Sequence, residues 1–120
     1  MKTEAKEWLG KSKEDFGVAE YNLKGNKISA AAFYFQQAAE KALKAAQIEK
    51  LNRFERTHDL VILAKSLDAP KEIIEICESV TIYYVITRYP NSKQEYTKKD
   101  ITNAGNGSKK VIGWVEGMLK

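Results

Sequence analysis

The sequence contains one cysteine, one histidine and two prolines in 120 residues, and each shortage removes a class of chemistry. A lone Cys77 cannot form an intramolecular disulfide, and His58 alone cannot complete a Cys/His zinc site with it. No phosphate-cradling glycine loop, dinucleotide fingerprint or carboxylate-rich metal spacing occurs, so neither a metal nor a cofactor is expected. No serine has the surroundings of a nucleophile elbow. No apolar run approaches the length of a membrane span. The opening MKTEAKEWLG places acidic residues where a signal peptide would hold its apolar core, so a cytoplasmic protein is expected. Cys77, inside the apolar run IIEICESV, reads as a buried small hydrophobe rather than a nucleophile.

A chain of this length can bury a core as one domain, taken as residues 1–120. Lysine and arginine number 20 against 16 acidic residues, a net charge of +4. That balance permits a phosphate-bearing partner without requiring one. The carboxylate pairs Glu14–Asp15 and Glu72–Glu75 fall at helical positions that read as solvated faces.

The apolar period is helical almost throughout. Ala5, Trp8, Leu9, Ser12, Phe16, Ala19 and Leu23 form one stripe, which Gly25 and Asn26 end with a left-handed stop. Ile28, Ala32, Phe35, Ala39, Ala42 or Leu43, and Ala46 form a second, alanine-rich stripe. After a connection from about Leu51 to Arg56, Thr57 suits an N-cap with Asp59 in the first turn of a brief helix ending near Leu67. Pro70 opens a longer helix running to about Tyr89, with Pro90, Asn91 and Ser92 as its stop and turn. Thr97 and Asp100 have the spacing of a capping pair for the last helix, whose Gly105 and Gly107 each cost about 1 kcal/mol relative to alanine. That cost points to a bend or to close packing there. The pattern predicts an all-α, antiparallel helical bundle.

Two segments carry candidate chemistry. The first, RFERTHDL, holds the only histidine behind two arginines. Thr57, His58 and Asp59 read as a helix start, while Arg53 and Arg56 are either solvated or placed for phosphate. The second is TRYPN, where Arg88 satisfies a helix C-terminus or binds phosphate, and Tyr89 packs or stacks on a base. Phe35 and Tyr84 fall on core stripes. Phe33, Tyr34 and Tyr83 point partly away, which suits a dimer seam better than a stacking platform.

Taken together, AAFYFQQAAEKALKAAQI, RTHDLVILAKSL and YYVITRYPN resemble the HEPN domain family over nearly the whole chain. The resemblance implies a prokaryotic-type, commonly homodimeric protein. Its fold would be a four-helix up-and-down bundle plus a short extra helix. Some members are metal-independent endoribonucleases acting as toxins in toxin–antitoxin systems. Others are non-catalytic, binding nucleotides or pairing with a nucleotidyltransferase-fold protein.

Ribonuclease members carry an arginine, often followed by a polar residue, and then a histidine after four to six intervening residues. The pair would combine a base for the ribose 2′-hydroxyl with a permanent cation for the phosphate. Arg53 and His58 match that spacing, with four residues between them. In those members, however, the pair lies near the end of the third long helix. There this chain reads Arg88-Tyr89-Pro90-Asn91, with no histidine after it. The reading drawn from the sequence is therefore a homodimeric binding module for nucleotide or RNA phosphate, or for a nucleotidyltransferase-fold partner. A ribonuclease using Arg53 or Arg88 with His58 is the alternative, and a purely structural interaction module is the third.

Overall fold

The computed structural model describes residues 1–89 and 96–120. Its six helical segments are α1 (Thr3–Lys24), α2 (Ile28–Leu51), α3 (Leu60–Ser66), α4 (Lys71–Thr81), α5 (Tyr83–Ile86) and α6 (Lys98–Met118). The described residues contain no strand. α4 and α5 act as one interrupted helix, giving four long elements with the short α3 beside them, as expected. The turn predicted at Pro90, Asn91 and Ser92 lies outside the described residues.

α2 is the axis of the bundle, in contact with every other helix. The sequence suggested one buried stripe, yet burial covers most of its circumference, from Ala31 and Ala32 to Gln47 and Ile48. Alanine explains this, because its small side chain lets neighbours approach from several directions at no cost in helix propensity. The same closeness carries polar residues of α2 inside: Gln36, Glu40, Lys44 and Gln47 are all buried. Asp15 on α1 is buried too and pairs with Lys41, which corrects its assignment to a solvated face.

The helix ends are chemically specified. Asn26 (φ 60°) makes the left-handed step after α1, and Asn52 (φ 58°) makes the one after α2. Thr97 and Asp100 form the capping box of α6: the Asp100 N–H donates to Thr97 Oγ1 at 3.1 Å and the Thr97 N–H to Asp100 Oδ2 at 2.8 Å. α3 corrects the sequence reading. Its N-cap is Asp59, whose Oδ1 accepts from the Val61 N–H at 2.9 Å, while the Thr57 hydroxyl is already taken by the Asp59 N–H at 3.1 Å. The backbone is still extended at Asp59, so the helix begins two residues later than Thr57 would have it.

The expected single helix from Pro70 to Tyr89 breaks at Ile82. The run Val80-Thr81-Ile82 is β-branched, and the Thr81 hydroxyl is engaged in accepting from the Leu60 N–H at 2.9 Å. The break reverses the roles of two aromatics: Tyr83 is in the core, and Tyr84 is half-exposed.

Gly105 and Gly107 mark close packing rather than a bend. A Cβ on Gly105 would stand 2.7 Å from Cζ of Phe35, and Ser108 Oγ donates to the Phe35 carbonyl at 2.7 Å. Gly113, on the same helix, faces open space. Gly113→Ala should therefore stabilise the fold by about 0.5–1 kcal/mol through helix propensity. Gly105→Ala should lose that gain to overpacking and come out net destabilising by about 1 kcal/mol. Urea unfolding of the two variants side by side checks the sign.

Candidate functional site

His58 follows α2 and precedes α3, and its backbone is pinned before its ring is considered. The Nε2 of the fully buried Gln36 donates to the His58 carbonyl at 2.9 Å, and the Thr81 hydroxyl approaches the same oxygen at 3.5 Å. The ring is fixed from two further directions. Nδ1 lies 3.1 Å from both carboxylate oxygens of Glu40, and the ring stacks on Tyr84 with centroids 4.0 Å apart and planes 14° apart. Even so, 48% of the side chain remains exposed. A solvent-facing imidazole held at carbonyl, ring nitrogen and ring face is organised beyond what a helix start requires.

Glu40 is the hub beneath it, only 3% exposed. Its Oε2 accepts from Lys44 Nζ at 3.0 Å, and Gln36 and Gln37 Nε2 lie 3.4 and 3.3 Å from Oε1. Lys44 is 5% exposed and lies over the rings of Trp8 and Phe54 at 5.9 and 5.5 Å. The buried charges thus compensate each other, as an interior requires.

On the outer side, the Arg88 guanidinium lies 4.6 Å from the Tyr84 ring centre, so Tyr84 carries both His58 and Arg88. Beside them opens a cleft of about 560 Å³, lined by Thr57, His58, Asp59, Thr81, Ile82, Tyr84, Val85 and Ile86. Its apolar wall of Ile82, Val85 and Ile86 suits a flat, weakly polar group such as a base. The His58 imidazole lines the cleft with Asp59, while Arg88 is not among the lining residues and adds its charge from the Tyr84 ring.

Among the sequence candidates, His58 and Arg88 are brought together through Tyr84. Arg53 and Arg56 are not: they line a separate depression of about 340 Å³ with Lys2, Glu4, Ile48, Asn52 and Phe54. The Arg53–His58 pair, matched by count, does not share a cleft. Tyr89 is 58% exposed, next to Arg88 in the chain. Phe33 stacks on Tyr84 at 6.1 Å and edge-on to Tyr34, extending the aromatic surface. Cys77 is fully buried, and burial, then the charges of Asp59 and Glu78, push its thiol up to about 12. It is a core residue, not a nucleophile.

Glu40, Lys44 and the cleft-facing role of Tyr84 were missed in the sequence. A signal was present: Gln36, Glu40 and Lys44 recur every fourth residue along one line of an alanine-rich helix. Among the described residues, no cluster of His, Cys, Asp and Glu could hold a metal ion, and no helix is long and apolar enough to cross a membrane.

Residues 5–118 match the model of the HEPN domain. A Methanocaldococcus jannaschii protein named "Putative toxin MJ1304" is 29% identical over 134 residues, covering 97% of this chain and 88% of that protein. The crystal structure of TT1696 from Thermus thermophilus superposes with a TM-score of 0.89 at 25% identity, covering 97% of this chain and 98% of that one. ST0689, described as an archaeal HEPN homologue, superposes with a TM-score of 0.83 at 27% identity over the whole of both chains.

Proposed function

The chain belongs to the HEPN domain family, and on that premise we propose that it is a binding module for a nucleotide or RNA phosphate, seated at the His58–Arg88 cleft. One observation carries this reading. His58, exposed yet fixed by Glu40 and Tyr84, lines a cleft with an apolar wall, and the Tyr84 ring on which it stacks also carries Arg88. The phosphate would meet the exposed edge of the imidazole, with the guanidinium on Tyr84 adding positive charge nearby, and the base would lie against Ile86. Ile62, Ile82 and Val85 are exposed apolar residues that a second copy would cover. A two-fold pairing over Ile82 and Val85 would set two His58–Arg88 sites face to face. A nucleotidyltransferase-fold protein is the other partner this reading admits.

The test is equilibrium titration with a short ribo-oligonucleotide at low and physiological salt. Saturable binding that weakens with salt, unchanged in Arg53→Ala, is expected. An equal loss in Arg53→Ala, or no binding, contradicts it. Sedimentation of the wild type against Val85→Asp checks the pairing, since only the variant should run as a monomer.

The second reading is a metal-independent endoribonuclease acting as a toxin. It is favoured by the carboxylate–imidazole pair, and the relative named as a toxin supports it. With Nδ1 engaged by Glu40, Nε2 is the nitrogen left to take a proton from a ribose 2′-hydroxyl, while Arg88 steadies the phosphate. RNA cleavage in the presence of a chelator, lost in His58→Ala, is its expected signature. Intact RNA with the wild type leaves the binding module alone.

A further inference from the structure

Glu40 performs no evident service for the exterior, yet it occupies one ring nitrogen of the only histidine. We propose that Glu40 is the positioning residue of this cleft, and that it selects the tautomer of His58 and so decides what its ligand meets. This rests on the phosphate-binding reading above.

An ionised carboxylate has no hydrogen to donate, so a close contact with Nδ1 requires the proton to be on that nitrogen. Glu40 Oε2 accepts from the Lys44 ammonium at 3.0 Å in the same buried pocket, the geometry of a carboxylate paired with a cation. The neutral form of His58 therefore carries Nδ1–H, and its lone pair is on Nε2. Nε2 has no hydrogen-bond partner among the described residues, and the ring is half-exposed. Two uses of Nε2 follow. Unprotonated, it accepts a hydrogen bond or a proton from a ribose hydroxyl. Protonated, it donates to a phosphate oxygen, while Glu40 stabilises the imidazolium from behind.

The other groups around the ring do not compete for this role. Tyr84 offers its face, Arg88 lies on Tyr84, and Asp59 Oδ1 accepts from the Val61 N–H. Glu40 acts through His58 and, at 3% exposure, is too buried to meet a ligand itself.

The experiment is a long-range nitrogen–proton NMR spectrum of the imidazole, which reports the protonation of each ring nitrogen and needs no ligand. In the wild type at neutral to alkaline pH, the protonated nitrogen should be Nδ1. In Glu40→Gln, the side-chain amide can donate to Nδ1, and the proton should move partly or wholly to Nε2. Affinity for a short ribo-oligonucleotide should fall about tenfold in the same variant, the worth of about one hydrogen bond. A wild type protonated mainly at Nε2 overturns the proposal whether or not the variant folds. An unchanged tautomer in a folded Glu40→Gln overturns it too, as does a moved tautomer with wild-type affinity. Should the wild type bind no oligonucleotide while showing the Nδ1 proton, the phosphate reading fails and the positioning role falls with it. The contact chemistry of Glu40 and His58 then stands alone, so the two failures are distinguishable.

Discussion

Glu40→Ala is expected to destabilise the fold by about 3–5 kcal/mol, the cost of leaving a buried charge without its partner. The stranded charge is Lys44, 5% exposed, whose Nζ donates to Glu40 Oε2 at 3.0 Å. The rings of Trp8 and Phe54 offset part of that charge but do not replace the hydrogen bond to the carboxylate. Gln36 and Gln37 would lose their carboxylate acceptor in the same step. Since a domain of this size is stable by only about 5–15 kcal/mol, the variant should be near its folding limit. Pairing Glu40→Ala with Lys44→Met should restore most of the loss, because an apolar replacement of the whole pair removes the uncompensated charge. Urea unfolding of both variants gives the comparison. A loss below about 1 kcal/mol in the single variant would show that the pair is solvated and not the buried hub described here.

Arg88→Ala is expected to weaken phosphate-ligand binding by about 10–100-fold, since a hydrogen bond to a charged group is worth about 1.5–3 kcal/mol. The side chain is exposed, so stability should move by less than about 0.5 kcal/mol. That separates binding from folding, which Glu40→Ala cannot do. Arg88→Lys should recover only part of the affinity, because the planar guanidinium lies against Tyr84 and an ammonium does not stack in that way. Calorimetric titration of a short ribo-oligonucleotide with each variant reads these differences. Equal affinity in Arg88→Ala and the wild type would remove the arginine from the site.

The parts of the fold that were legible in the sequence are those set by local chemistry. The helical period, the left-handed stop at Asn26, the capping box of Thr97 and Asp100, and the departure at Gly105, read as either a bend or close packing, all act within a few residues or through one missing side chain. The misread parts depend on what lies across the bundle. Thr57 has the right chemistry for an N-cap, but the anchoring of the His58 carbonyl to Gln36 and Thr81 keeps the chain extended until Asp59 takes the role. Tyr83 and Tyr84 exchange places because the helix breaks at Ile82, where Thr81 serves Leu60 of another segment.

The site shows the same division. Arg53 and His58 are correctly spaced along the chain but open onto different depressions, whereas Arg88, thirty positions from His58 in sequence, reaches it through Tyr84. Glu40 stands off the apolar stripe of α2. Only the burial of α2 from nearly all sides turns it into a hub, and a single stripe read along one helix carries no information about the opposite face.

The central claim is that His58 is the contact point for a phosphate-bearing ligand, and a chain with one histidine tests it directly. The imidazole carbon–proton signals belong to a single residue, so they can be followed while a short ribo-oligonucleotide is titrated in. The account predicts that they shift saturably in the wild type and at least about tenfold more weakly in Arg88→Ala. Ring signals that stay still while resonances around Arg53 and Arg56 move would place the ligand in the other depression and contradict it.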